Sequence, residues 1–201
     1  SGSTMKHVVI ENGSQSKVNG VSYLGMLSLH NSSNILIENL RSSSNSGADD
    51  MFHVVYGRNI VLRNSEFRNA QLDAIDFDLS TIEVDGLTIS QAGNDCIDVM
   101  GGSVRFRNVL VRQCGDKGIS AGEKSILKVN NAEINFSNIG IAVKDSSFME
   151  INESKIFNSS ICFAAYRKKQ EFYGAKIKIN KTNCTKDKFF NSEGSEINLG
   201  T

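Results

Sequence analysis

Short alternations of apolar and polar residues recur along this chain at a fixed interval. The clearest copies are Asp73-Ala74-Ile75-Asp76-Phe77-Asp78, Asp95-Cys96-Ile97-Asp98-Val99-Met100 and Lys117-Gly118-Ile119-Ser120-Ala121-Gly122, in which Ile75, Ile97 and Ile119 stand 22 residues apart. A second register agrees: Thr81, Ser103, Ser125 and Ser147 keep the same 22-residue spacing, and each precedes an apolar run. Successive side chains of a strand point to opposite faces. Ile75, Phe77, Ile97 and Val99 therefore turn inward, and Asp76, Asp78, Asp98 and Met100 turn outward. A period of this length without helical spacing predicts a solenoid of short strands, each coil covering the apolar side of the next.

Each regular coil is expected to hold three strands. The first is the run after the marker, at 60–62, 82–84, 104–106, 126–129 and 148–151; the second centres on Phe67, Ile89, Val111, Ile134 and Ile156. The third is the phrase strand around Ile75, Ile97, Ile119, Ile141 and Ile161. Between the first two runs a column of Asn39, Asn64, Gly86, Asn108 and Asn131 predicts a stacked polar ladder, because asparagine tolerates a left-handed corner and bonds along it. The first 34 residues are less regular, with apolar runs at 8–10 and 21–29 and turn signals at Asn12-Gly13 and Asn19-Gly20, and predict an imperfect first coil. The interval from Ile141 to Ile161 falls to 20, which predicts a contracted corner, and that from Phe148 to Lys176 rises to 28. The longer interval predicts an inserted loop at 166–173, projecting from one side. The pattern resumes at 176–180, Cys184, Phe189-Phe190 and 196–199, for roughly seven to eight coils in all. The last run reads as the start of another coil, so a flanking domain or an end-covering partner is expected over the open strand edge.

Composition narrows this further. The continuous period makes residues 1–201 one domain, and 22 basic against 22 acidic side chains give no reason to expect a nucleic-acid or anionic-membrane partner. No apolar run approaches the roughly 20 residues of a membrane helix, so no membrane insertion is expected. The start lacks a secretory apolar segment, and Ser1-Gly2-Ser3 reads as an expression scar. Cys96, Cys114, Cys162 and Cys184 form neither a CxxC pair nor a metal-finger spacing, and are expected to be buried unpaired thiols.

From residue 34 to 199, the three-strand period and the asparagine column resemble the right-handed parallel beta-helix superfamily, whose members include pectate-lyase-like, polygalacturonase-like and uronate-epimerase-like proteins. The fold this implies is all-β: a right-handed, single-stranded parallel β-helix. A left-handed helix would favour about 18 residues per coil in hexapeptide units, which the chain lacks. Gly93-Asn94-Asp95-Cys96-Ile97-Asp98 and Gly115-Asp116-Lys117-Gly118-Ile119-Ser120 are similar to repeats in bacterial beta-helix regions of surface or secreted proteins. That similarity implies an extracellular or cell-surface location.

Stacking coils at about 4.8 Å per step turns the period into surface columns. One reads His53, Asp76, Asp98, Ser120; the strand entrance reads Asp50, Asp73, Asp95, Lys117, with Asp49, Asp78, Asp116 and Glu123 alongside. Carboxylates on adjacent rungs repel one another unless water screens them or a cation sits among them. Three readings stay open. In the first, Asp73, Asp76, Asp95 and Asp98 hold calcium, a hard cation that takes six to eight oxygens, and Asp73, Asp95, Asp78, Tyr56 and Asp116 contact a polysaccharide. In the second, Asp76 and Asp98 do acid/base work on a glycan. The resemblance to lyases then implies Lys117, or after it His53, as the base of a polysaccharide lyase, glycoside hydrolase or uronate epimerase. In the third, Asp73 and Asp95 bond to corner backbone, Asp76 and Asp98 keep the face soluble, and the chain is a structural spacer or assembly module. The reading carried forward is a carbohydrate-associated module of a bacterial surface or secreted protein. A groove walled by the 166–173 loop beside Asp76 and Asp98 favours binding or catalysis; a flat face favours the spacer.

Overall fold

A computed structural model describes residues 2–192 and 194–200 of the chain. Ser1, the first residue of the expected scar, and Thr201, two residues past the final run, lie outside the described residues. Parallel strands stack in three columns. The phrase column contains Gly25–His30, Asp50–Val55, Asp73–Asp78, Ile97–Met100, Lys117–Gly122, the segments 139–144 and 161–166, and Phe189–Asn191. These eight rungs wind as one parallel β-solenoid of about 22 residues per turn. No α-helix occurs among the described residues; a single 3-10 turn covers Lys186–Lys188.

The alternation places the core. Phe52, Ile75, Ile97, Ile119, Ile141 and Phe163 form one inward column, each with 0% exposure. Corners are left-handed where the sequence supplies asparagine: Asn39, Asn64, Asn108 and Asn131 have φ of 55°, 46°, 53° and 63°, and Gly86 of 76°. Hydrogen bonds link part of this column. Asn131 Nδ2 donates to Asn108 Oδ1 (3.1 Å), and Asn108 Nδ2 donates to Asp85 Oδ1 (3.0 Å).

The register corrects two spacings. Ile141 pairs with Phe163, and Ile161 pairs with Ile139, so the step stays at 22 and the expected contraction is absent there. Phe163 is the fully buried apolar residue at the matching height, whereas Ile161 is half-buried. Ser103 pairs with Ile126 rather than Ser125. The extra residue sits in a corner where Glu123 and Lys124 are both left-handed (φ 57° and 65°), and the next corner, at 136–138, takes it back. The insertion is present and begins just after the strand Ser154–Tyr166. The irregular start holds an antiparallel hairpin of Ser16–Val18 and Val21–Tyr23, turned at left-handed Asn19 and Gly20.

The cysteines are not free thiols. Cys96 bonds to Cys114 and Cys162 to Cys184, with Cα separations of 5.3 and 6.5 Å. The reason lies in the repeat, since residues about one period apart in sequence stand roughly one rung apart in space, within reach of a disulfide. Closing an 18-residue separation constrains the unfolded chain. Replacing both Cys96 and Cys114 by serine is expected to lower stability by about 3 kcal/mol, read from urea denaturation midpoints. An unchanged midpoint would show that the cross-link adds nothing to the stack.

Candidate functional site

The outer face of the phrase column carries the acidic residues in the expected register. His53 pairs with Asp76, Asp76 with Asp98, and Asp98 with Ser120. The entrance column is tied into the scaffold. The Asp95 amide donates to Asp73 Oδ1 (2.7 Å), as does Asn94 Nδ2 (2.7 Å), and the Lys117 amide donates to Asp95 Oδ1 (3.0 Å). Lys117 Nζ sits 3.3 Å from Asp95 Oδ1 and also pairs with Asp116. These two carboxylates hold the ammonium protonated, above its ordinary range, against the opposing effect of its own burial. A lysine so held is a poor proton acceptor at neutral pH, and here it is a fixed cation.

His53 is deeply enclosed, at 3% exposure. Three carboxylates surround its ring: Asp78 Oδ2 and Asp76 Oδ2 lie 3.2 and 3.8 Å from Nε2, and Asp50 Oδ2 lies 3.7 Å from Nδ1. Neither Asp50 Oδ2 nor His53 Nδ1 has a hydrogen-bond partner, although both atoms are buried. Burial, with repulsion from Asp78, Asp50 and Asp98, pushes Asp76 up to about 9. Burial also pushes Asp50 up to about 7 and Asp95 up to about 6, with Lys117 opposing the latter shift. Local packing creates this enclosure. Gly25 lies opposite Asp50 in the preceding rung, and a Cβ there would stand 2.8 Å from His53 Cβ. Tyr23 of the hairpin lies over His30 (ring centroids 4.4 Å), and His30 meets His53 edge-on at 5.7 Å.

Beyond Asp98 the outward column shrinks to Ser120, Ala142 and Ala164, all essentially without exposure although they face away from the core. Lys144 and the inserted loop crowd this region. A pocket of about 130 Å³ is lined by Asp98, Glu123, Lys144, Asp145, Lys168 and Lys169, among others. Lys144 Nζ lies 3.9 Å from Asp98 Oδ1, Lys169 pairs with Glu123, and Asp145 Oδ1 accepts the Lys168 and Lys169 amides at 2.6 and 2.8 Å. The loop therefore walls the acidic face at Asp98. Tyr56 stands aside: it is exposed in a left-handed corner (φ 54°) and donates its amide to the Asp78 carbonyl at 3.1 Å.

The four residues expected to share calcium do not all converge. Asp73 and Asp95 are engaged with the next rung, and Asp98 Oδ1 accepts the Val99 amide at 3.0 Å. The group that does converge is Asp50, His53 and Asp76. Lys144 carried no repeat signal in the sequence; only its register below Tyr166 points to the pocket. A larger groove, of about 750 Å³, lies at the asparagine corner beside Arg41, Asn64, Glu66 and Thr88, and contains none of the sequence-predicted site residues.

A family model described as a right handed beta helix region matches residues 25–185. The chain belongs to that family. The match sets the hand of the solenoid and begins at the strand that carries Gly25. No curated protein matches this beta-helix chain by sequence. Among solved structures, the catalytic domain of a GH87 alpha-1,3-glucanase in complex with tetrasaccharides is similar, with a TM-score of 0.43 and 10% identity over 97% of this chain and 53% of that one. The beta-helix thus spans about half the length of that chain. No helix among the described residues is long and apolar enough to cross a membrane.

Proposed function

We propose that this beta-helix is a carbohydrate-associated module that binds a polysaccharide along the outer face of the phrase column, from Asp98 to the inserted loop. The observation that carries this reading is the wall the loop builds beside Asp98. A flat, fully backbone-bonded face would have suited a spacer, but here carboxylates and ammonium groups alternate around a recess. Such an arrangement suits sugars, whose hydroxyls both donate and accept, and hydrogen bonds to charged groups are stronger than neutral ones. In this reading Asp98 and Lys144 bracket one sugar unit, Lys168 reaches the next, and Lys117 adds fixed positive charge near the strand entrance. Two disulfides accord with work in an oxidising, extracellular setting.

The test is isothermal titration against a panel of neutral and uronate-containing polysaccharides, run beside an assay for new reducing or unsaturated ends. The intact chain is expected to bind at least one polymer. Asp98→Asn combined with Lys168→Ala should weaken that binding at least about tenfold, since each charged hydrogen bond contributes about 1.5–3 kcal/mol. Product formation would identify the face as an enzyme's. No binding to any polymer, or equal binding by the double variant, would end the proposal.

A further inference from the structure

The geometry points to a transition-metal site of the zinc class formed by Asp50, His53 and Asp76, separate from the glycan pocket and independent of it. One oxygen from each aspartate and one ring nitrogen of His53 lie within 4.8 Å of one another. The second observation is the pair of orphaned atoms. Asp50 and His53 are each 3% exposed, yet Asp50 Oδ2 and His53 Nδ1 have no hydrogen-bond partner and lie 3.7 Å apart. Buried polar groups are nearly always partnered, so two unpartnered ones facing each other mark a place for a third body. Ligands at about 2.0–2.2 Å from a tetrahedral ion stand roughly 3.4 Å from one another, so a shift of a few tenths of an ångström closes the Asp50–His53 edge.

The surroundings favour a metal over a proton or a water. Asp78 Oδ2, 3.2 Å from His53 Nε2, accepts that nitrogen's hydrogen and leaves the Nδ1 lone pair aimed at Asp50. A carboxylate on the far nitrogen is the usual support of a metal-binding histidine, fixing its tautomer and raising its basicity. Gly25 leaves room at the mouth of the strand, where any side chain would collide with His53. His30 and Tyr23 close one side and fix the ring. An imidazole nitrogen among two carboxylates suits zinc or cobalt better than calcium, which takes six to eight oxygens. Asp76 Oδ2 lies 3.8 Å from His53 Nε2 and must turn toward the Nδ1 side to complete the set; as the least buried of the three, Asp76 gives the ion its path to solvent, and a water completes the shell.

The experiment is titration of the metal-stripped full chain with Zn²⁺, Co²⁺ and Ca²⁺ separately, by calorimetry and, for cobalt, by visible absorption. One zinc per chain and an intense tetrahedral cobalt spectrum are expected, with calcium at least tenfold weaker. Asp76→Asn should reduce zinc affinity at least tenfold, and Asp78→Asn, which removes only the support of the ring, by roughly tenfold to a hundredfold. His7→Gln, an exposed histidine elsewhere, should leave affinity unchanged. Asp50→Asn alters a buried group, so the Asp76 and Asp78 variants are the deciding ones, each checked for an unchanged β circular-dichroism spectrum. Absence of stoichiometric zinc, preference for calcium, or wild-type zinc affinity in folded Asp76→Asn would overturn the site.

Discussion

Phe52→Ala is expected to lower the stability of the solenoid by about 3–5 kcal/mol. Phe52 has no exposure, stacks on Phe67 (centroids 6.0 Å, interplanar angle 6°) and meets Phe77 edge-on at 5.9 Å (89°). It therefore packs against another strand of its own coil and against the next rung. Truncation leaves a cavity that cannot close easily, because main-chain hydrogen bonds to Gly25–His30 and Asp73–Asp78 fix the rung spacing on either side. The cost falls on the second of the eight rungs of a nearest-neighbour stack, so the coils around it should lose structure before distant ones and broaden the transition. Urea denaturation followed by circular dichroism measures this. Phe157→Ala is the control: Phe157 is 42% exposed, and its loss should shift stability by no more than about 0.5 kcal/mol. Equal effects of the two substitutions would contradict the packing argument.

Much of this architecture is legible in the chain because a solenoid repeats one physical requirement in every coil. An inward isoleucine every 22 residues fixes the phrase register, and asparagines at the corner between the first two strands fix where the chain bends there; both follow from local rules. The misplaced residues show the limits of those rules. Ile161 matches Ile141 by residue type, but Ile161 and Phe163 stand two positions apart on the same face of the strand, so alternation admits either as the partner and only the pairing of Ile141 with Phe163 decides. Corners that gain a residue at Lys124 and lose it by Ile139 cancel over a full coil, so a marker-to-marker count hides both. Motif spacing misses the cysteine pairs, because the coil itself brings positions 96 and 114 together.

The site divides along the same line. Its columns are legible, since the outward residues of adjacent rungs must stack. Which carboxylates converge is not, because that depends on what occupies each oxygen. Asp73 and Asp95 differ little from Asp50 in sequence context, yet both accept the amide of the next rung, while Asp50 Oδ2 faces His53 with no donor. The hairpin that encloses His53 has no counterpart in other coils, so the period contains no trace of it. Lys117, singled out because it breaks the aspartate column, does mark a special point, but as the partner of two carboxylates.

That pairing sets the other large effect. Lys117→Met is expected to lower stability by up to about 2.7 kcal/mol at pH 8, and by about half of that at pH 7, because Asp95, only 2% exposed and with no other cation beside it in an ion pair among the described residues, must then either stay charged alone or take up a proton. The loss should depend on pH in a definite direction. Burial raises Asp95 in the folded chain from its ordinary 3.8 to about 6, so protonation of this group favours folding. Its contribution is fully present below pH 3.8 and is lost as pH rises through about 6. Lys117 lowers the Asp95 value, and removing it moves that window upward. At pH 5 Asp95 is mostly protonated with or without the lysine, and the variant should differ from the wild type by little more than its altered packing. At pH 8 the full deficit appears. Urea midpoints at both values test this, and adding Asp95→Asn to Lys117→Met should recover most of the loss at pH 8, since the amide oxygen still accepts the backbone amide of residue 117 without carrying charge. A deficit of equal size at pH 5 and pH 8 would mean that the aliphatic stem of Lys117, rather than its ammonium, holds the acidic face together.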